Sequence, residues 1–444
     1  MNRIRYLLMF LFLAVFLLPA GTHAGQPLGK RIVLDNGMVL LLAEKHDLPM
    51  VTVDMAIKAG GTLEPGDKPG LASFTAALLK EGTKRRDGEQ ISGEIDFIGG
   101  ALSVSGGLDY ASASLRVLAK DLRTGLDLLS DVLMNPVFRK KDINRTVKEM
   151  LAEIKRQQEE PGTVADEAFT KAVFGSHPYG RTNEDVAAYL KRIKRRHIVD
   201  FHWAQYGPDN TIITVVGDVT EKGITTLLNE YFKGWSRKPG PLPAVAAAPK
   251  QSKTELFSID KTITQANIVL GHRGISRQNP DYYTVVVMNF ILGGGGFSSR
   301  LMDNIRDNRG LAYSVHSYFS ARKEPGAFVV EMQTKNESAN EAIAEIMKEM
   351  RRMRTAPVST AELADAKSYI MGSFPLRMDT YAKIAGILTF VEMYGLGLEY
   401  PQKYLQAISA VTKKDVLRAA QTYLHPGHLA IVVVADQKKA KLKL

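Results

Sequence analysis

Apolar and polar positions alternate along three stretches of the chain: Met50–Gly60 (MVTVDMAIKAG), Ala101–Val117 (ALSVSGG and ASASLRV) and Ala312–Thr334 (AYSVHSYFSARKEPGAFVVEMQT). A period of two sets one face of each segment on a core and the other in water, so these read as strands. Two further runs, TIITVVGD at Thr211–Asp218 and LAIVVVAD at Leu429–Asp436, carry β-branched residues without alternation and read as buried strands, each preceded by an amphipathic helix. Segments of helical period lie between them, such as AKDLRTGLDLLSDVLM (Ala119–Met134) and ANEAIAEIMKEMRRM (Ala339–Met353). Strand and helix segments in mixed order, with hairpin-like neighbours, predict the α+β class: a largely antiparallel sheet covered on one face by helices.

The pattern occurs twice. Ala204-Gln205-Tyr206-Gly207-Pro208 before the first buried run returns as Gln421-Thr422-Tyr423-Leu424-His425-Pro426 before the second, and Pro208 and Pro426 are 218 residues apart. PVFRKKDINRTVKEMLAEI (Pro136–Ile154) likewise pairs with APVSTAELADAKSYIMGSF (Ala356–Phe374), each a loop followed by a helix. Between the repeats, residues 236–252 (SRKPGPLPAVAAAPKQS) show no apolar period and read as a linker. The expected organisation is a signal peptide at 1–24, an N-terminal domain at 25–235 and a homologous C-terminal domain at 253–444.

The signal peptide is read from Arg3 and Arg5, an apolar run Leu7–Leu18 and the small-residue exit Thr22-His23-Ala24. The run is shorter than the roughly 20 residues that span a bilayer, and no later segment is apolar enough, so no integral membrane segment is expected after cleavage. The chain contains no cysteine, which excludes disulfides, thiolate metal sites and lipoprotein acylation. An exported, periplasmic protein is the expectation. The formal net charge is +11, and without Arg3 and Arg5 the remainder carries +9. The basic residues are scattered and lack the interleaved aromatics of a base-stacking surface, so no nucleic-acid partner is expected.

The chemistry of the chain is announced by a frame. Gly70-Leu71-Ala72 and Gly82-Thr83 bracket Ser73-Phe74-Thr75-Ala76-Ala77; downstream come Gly99-Gly100-Ala101, Asn135-Pro136-Val137-Phe138, His177-Pro178-Tyr179-Gly180, Pro208-Asp209-Asn210 and GGGGFSSRLMDNIRDNRGLAYSV (Gly293–Val315). In their order and spacing these stretches resemble the pitrilysin/insulinase family of zinc peptidases, whose helix motif is His-x-x-Glu-His. The resemblance covers the whole mature chain and implies two homologous domains of the kind found in the mitochondrial processing peptidase.

The resemblance places the two zinc histidines at Ser73 and Ala77 and the catalytic base at Ala76, so all three are absent; the third ligand's position falls on Glu153, which remains, and an acidic helper position falls on Thr146. One carboxylate does not hold zinc where three protein ligands are normal, so no metal is expected on this chain and Glu153 reads as a satisfied helix carboxylate. No other histidines rebuild a site: His197 and His202 are five residues apart and point about 140° away from one another on a helix, and His425 and His428 flank a turn proline and read as surface residues. Gly293–Gly296 lacks the Gly-Lys-Ser/Thr of a phosphate loop and reads as a turn before a helix starting at Phe297–Arg300. The resemblance also implies a catalytic pair, Arg306 and Tyr313, that holds a substrate carbonyl and steadies its oxyanion, and a substrate-laying edge strand at Gly99–Leu108, with Gly99, Gly100, Ala101 and Ser103 at its start.

Loss of ligands in one half with retention of Arg306 and Tyr313 in the other implies a non-catalytic subunit: it binds peptide and supplies the pair in trans to a homologous partner that carries His-x-x-Glu-His and zinc. A purely structural or peptide-binding pseudopeptidase is the alternative. A hydrolase active by itself ranks third, because neither half offers a nucleophile beside a base.

Overall fold

The computed structural model describes residues 27–235, 245 and 247–443. The expected signal peptide, and most of the expected linker, lie outside the described residues.

Eleven described strands form two sheets. The first contains β1 (Lys30–Val33), β2 (Val39–Glu44), β3 (Met50–Ile57), β4 (Ala101–Gly106), β5 (Ala111–Leu118) and β6 (Thr211–Gly217), in the order β1-β2-β6-β3-β5-β4. The second contains β7 (Glu255–Asp260), β8 (Gln265–Arg273), β9 (Ala312–Phe319), β10 (Ala327–Lys335) and β11 (Ala430–Ala435), in the order β7-β11-β8-β10-β9. Setting β1 aside, the two orders superimpose strand for strand, so the duplication read from the sequence is a duplication of topology. Both sheets are mixed: β2–β6 and β7–β11 run parallel and every other pairing is antiparallel.

Each sheet buries one face against helices of its own half. Leu126, Leu129, Ile198, Leu228 and Phe74 belong to the first core, and Ile343, Ile346, Met350, Tyr404 and Val416 to the second. Coverage on one face was the expectation; in the structure the other face is covered in part as well, by a helix from the opposite half. The helix Pro161–Phe174 lays Ala165, Phe169 and Val173 on Val269, Val432 and Val434 of the second sheet. The helix Tyr381–Met393 lays Ile384, Ala385 and Leu388 on Leu41, Ile212 and Val216 of the first. Positions 164/165, 168/169 and 172/173 in one helix, and 384/385 and 388 in the other, form the apolar stripe of a helix that packs on one side. This exchange explains the absence of alternation in β6 and β11: both are central, covered above and below, and every residue in them is buried. Thr214 and Thr389 hydrogen-bond across the exchange at 2.8 Å, satisfying two hydroxyls that burial would otherwise leave unpaired.

The duplication extends to one turn that the sequence repeats do not reveal. The helix Gly88–Phe97 ends with Gly99 at φ +63°, where the Gly99 amide bonds Asp96 O and the Gly100 amide bonds Ile95 O, a Schellman cap that leads into β4. The helix through Arg306 ends with Gly310 at φ +60°, where the Gly310 amide bonds Arg306 O and the Leu311 amide bonds Ile305 O, and leads into β9. Glycine is required at both positions because a Cβ disfavours this left-handed backbone. The edge strands β4 and β9 are therefore each launched from a left-handed glycine, the second across a turn one residue wider because its helix ends in a π-stretch.

Candidate functional site

The frame residues lie on a short helix, Leu71–Leu78. Ser73 and Ala77 are partly exposed, Ala76 is fully buried, and the Ser73 hydroxyl is committed to Gly70 O at 3.1 Å. The long helix Lys140–Glu159 packs beside it and carries Glu153. Glu153 accepts from Arg156 Nη2 at 2.6 Å, Arg156 Nε at 2.9 Å and Gln157 Nε2 at 2.8 Å, and the Arg156 hydrogen bonds hold its carboxyl below the usual range. Thr146, at the helper position, is buried. Two alanines, a committed hydroxyl and an arginine-paired carboxylate do not fit a divalent cation, and among the described residues no three His, Cys, Asp or Glu side chains converge as a metal group would need.

The frame has structural reasons to persist without its ligands. At the front, the Glu64 carboxylate accepts from the amides of Gly70 (3.0 Å) and Ala72 (2.6 Å) and pairs with Arg181; burial pushes its pKa up while those donors pull it down. A buried carboxylate at a helix N-terminus satisfies orphan amides and is stabilised by the helix dipole. Gly70, at φ +84°, leaves room for Val186, whose Cγ1 would lie 2.7 Å from a Cβ. At the back, Arg139 Nη1 occupies the place of a Cβ on Gly82. The Thr83 hydroxyl donates to buried Asp131 (2.7 Å), and Arg86 ties Asp131, Asp127 and Glu94 together. The glycines and threonine of the frame thus anchor the fold. Arg181, directly after the matched His-Pro-Tyr-Gly, was missed in the sequence because its partner lies 117 residues away.

β4 forms one edge of the first sheet, paired with β5 alone. Its end lies against the frame helix, where a Cβ on Gly106 would come within 2.5 Å of Ser73 Cα. Gly99 and Gly100 serve the cap that launches the strand, while Ala101 and Ser103 are exposed on it. Lys80 Nζ already donates to Leu102 O at 3.2 Å, which engages one backbone acceptor of the strand.

Arg306 and Tyr313 come together at the corresponding place in the second half. Arg306 lies in a π-helical stretch, Met302–Asn308, and a second such stretch, Phe290–Gly294, ends the preceding helix. These extra-wide turns reorient side chains and are frequent at functional sites. Gly293–Gly296 therefore belongs partly to a helix, and after a 3₁₀-turn at Gly296–Ser298 the next helix begins at Arg300, within the expected Phe297–Arg300, and passes at once into the π-stretch. Tyr313 sits in a β-bulge: β9 advances from Ala312 to Val315 while β10 advances only from Thr334 to Met332. The bulge turns both Tyr313 and Ser314 outward, and Tyr313 is 84% exposed. The Arg306 guanidinium lies 5.2 Å from the Tyr313 ring centre and 4.6 Å from that of Phe297, which is itself 71% exposed. Among the described residues Arg306 has no ion-pair partner, so stacking aims an uncompensated guanidinium, with the phenol, at open space. Phe297 was missed as a site residue; its signal is its place directly after four glycines.

His197 and His202 pack, while His428 is exposed at the surface. His202 is buried, donates to Leu133 O at 2.8 Å and stacks on Tyr206, while His197 bonds the Tyr189 hydroxyl. His425 corrects the surface reading: it is half-buried against the His272 ring, and its amide donates to His272 Nε2.

Two topologically equivalent α+β domains, one with a vacated zinc frame and the other with an aromatic-held arginine and tyrosine, define a metallopeptidase-like protein. The chain belongs to the insulinase family, peptidase M16: the family model matches residues 39–185, which contain the frame, and the model of the peptidase M16 inactive domain matches residues 192–370, which contain Arg306 and Tyr313. The crystal structure of a peptidase M16 inactive domain from Pseudomonas fluorescens is similar at a TM-score of 0.86 and 27% identity, covering 92% of this chain and 98% of that one. A protease from Helicobacter pylori shares the fold at a TM-score of 0.86 and 20% identity, with 92% and 99% covered. By sequence, the chain is 26% identical over 403 residues to an uncharacterized zinc protease of Rickettsia bellii, covering 90% of this chain and 96% of the relative. No described helix is long and apolar enough to cross a membrane.

Proposed function

We propose that this chain is the non-catalytic subunit of a two-chain periplasmic zinc peptidase, binding peptide and lending Arg306 and Tyr313 to a homologous partner that holds the zinc. The observation that carries this reading is the asymmetry between the halves. The frame positions offer no donor set for a cation, whereas an unpaired guanidinium and an exposed phenol are held side by side at the matching end of the second sheet. A purely structural role leaves that exposed arrangement without a purpose. Membership of the family, and the match of its inactive-domain model to this half, support the reading.

The chemistry asked of the pair is modest. The phenol donates to a substrate carbonyl oxygen, and the guanidinium supplies fixed positive charge where negative charge develops. Zinc on the partner, when bound, polarises that carbonyl and activates water. The test is peptide turnover by the pair of chains, with the partner taken as a neighbouring gene product bearing His-x-x-Glu-His. Arg306→Ala and Tyr313→Phe should each lower kcat by about 100- to 1,000-fold, the range for losing one oxyanion donor. Unchanged turnover with both variants sinks the proposal.

A further inference from the structure

Beside Tyr313, between the helix Pro161–Phe174 of the first half and β8, β9 and β10 of the second, lies a cleft of about 210 Å³. Asp166 from that helix faces His316 on β9 and Glu331 on β10 across it, with Asn267 and Gln333 on its floor. We propose that this cleft binds a cationic group of the peptide, an ammonium or guanidinium held between Asp166 and Glu331. The inference rests on the reading of the chain as a peptide-binding subunit and names what one of its subsites takes.

Glu331 is fully dressed: Tyr318 donates to one oxygen, and His316 Nε2 stands 3.3 Å from the other. Asp166 makes no hydrogen bond or ion pair with any described residue. Two carboxylates therefore face the cleft from opposite halves with a single titratable imidazole between them, and one of the two has no direct partner among the described residues. An anion entering the cleft meets both carboxylates, and the amides of the first helical turn at Gly162 do not outweigh them. An apolar group strips water from Asp166 and returns no hydrogen bond. A cation satisfies Asp166, reaches Glu331 as His316 gives up its proton, and lies against the electron-rich face of Tyr313. Its place beside Tyr313 puts it within reach of a peptide whose carbonyl that phenol holds.

Proton linkage follows from the same geometry. The hydrogen bond to Glu331 raises the pKa of His316, making it an internal stand-in for the missing cation, and the Glu331 carboxyl is correspondingly lowered. Asp166 is on an exposed side of its helix, yet the protein around its carboxyl pushes its pKa upward; the Glu331 charge adds to this and His316 opposes it. The facing groups are Asp166 on the helix, Tyr313, His316 and Tyr318 on β9, Glu331 and Gln333 on β10, and Gln265 and Asn267 on β8, with Arg322 of the β9–β10 hairpin nearby. A ligand cation competes with a proton on His316 and on Asp166 alike, so binding releases protons and weakens on acidification.

The experiment is isothermal titration of the full mature chain with an alanine-based nonapeptide carrying one central lysine, its norleucine counterpart, and both with acetylated N-termini. At pH 7.5 the lysine peptide should bind about fivefold more tightly than the norleucine peptide, the worth of a partly exposed ion pair. That preference should shrink at pH 5 and be lost in Asp166→Asn and Glu331→Gln, checked by thermal melting for intact folding. If the lysine and norleucine peptides bind alike and acetylation weakens both, the α-ammonium is the bound cation and the site stands. Equal binding of all four peptides by a chain that does bind them overturns this site alone. Absence of binding to any of them removes the peptide-binding reading as well.

Discussion

Leu388→Ala tests whether the exchanged helices make the two halves one cooperative unit. Leu388 belongs by sequence to the second half, but it is fully buried against the first sheet, among Leu41, Ile212 and Val216 and close to Gly29. Truncating a leucine at such a site removes its transfer free energy and leaves a cavity, together costing about 2–5 kcal/mol. With a urea m-value at or above about 3 kcal/mol per M, expected for a chain larger than small domains, the midpoint falls by up to about 1.7 M. The protein carries its own reporter. Its two tryptophans, Trp203 and Trp235, both lie in the first half, and Trp235 is buried in the first core with its indole N–H on Tyr206 O. Urea titration followed by tryptophan fluorescence should therefore show the drop, although the substitution lies more than 150 residues along the chain from Trp235. A fluorescence midpoint unmoved while far-UV dichroism shifts would refute the reasoning, because it would mean that the helix can leave the first sheet without loosening it.

Three further outcomes are expected. Gly310→Ala and Gly99→Ala should each cost about 1 kcal/mol in chemical denaturation, whereas Gly427→Ala should cost nothing; none of the three has a neighbour within 4 Å of a new Cβ, so only the positive φ of the first two separates them. The triple variant Ser73→His, Ala76→Glu, Ala77→His, with Glu153 left in place, should acquire stoichiometric zinc by elemental analysis, and absence of any gain would show that the frame helix no longer faces Glu153. Finally, His272 is buried with Nδ1 donating to Arg273 O and Nε2 accepting from the His425 amide, and burial lowers its pKa from 6.5 to about 4. The unfolded chain takes up this proton first, so stability is complete above about pH 6.5 and declines as pH falls toward 4, by at most about 3 kcal/mol. His272→Gln should flatten that decline in pH-dependent denaturation, and an unchanged slope would remove His272 as its source.

The site was legible in the sequence to the extent that its chemistry is local. Arg306 and Tyr313 were found from one motif, and the vacated ligand positions from one frame. Phe297 was passed over because an exposed phenylalanine has no meaning until it is seen beside a guanidinium. Asp166, His316 and Glu331 were passed over because they lie on a helix and two strands from opposite halves, and nothing in their spacing shows that they meet.

By itself the sequence determined the strand and helix segments, the twofold repeat and the absence of ligands at Ser73, Ala76 and Ala77, since hydrophobic period and residue identity act over a few neighbouring positions. The helix Pro161–Phe174 shows an apolar stripe as plainly as any other, but a stripe states only that it must be covered. That it covers the second sheet while Tyr381–Met393 covers the first was decided by tertiary structure alone, because burial free energy depends on area removed from water and carries no record of which half supplies it.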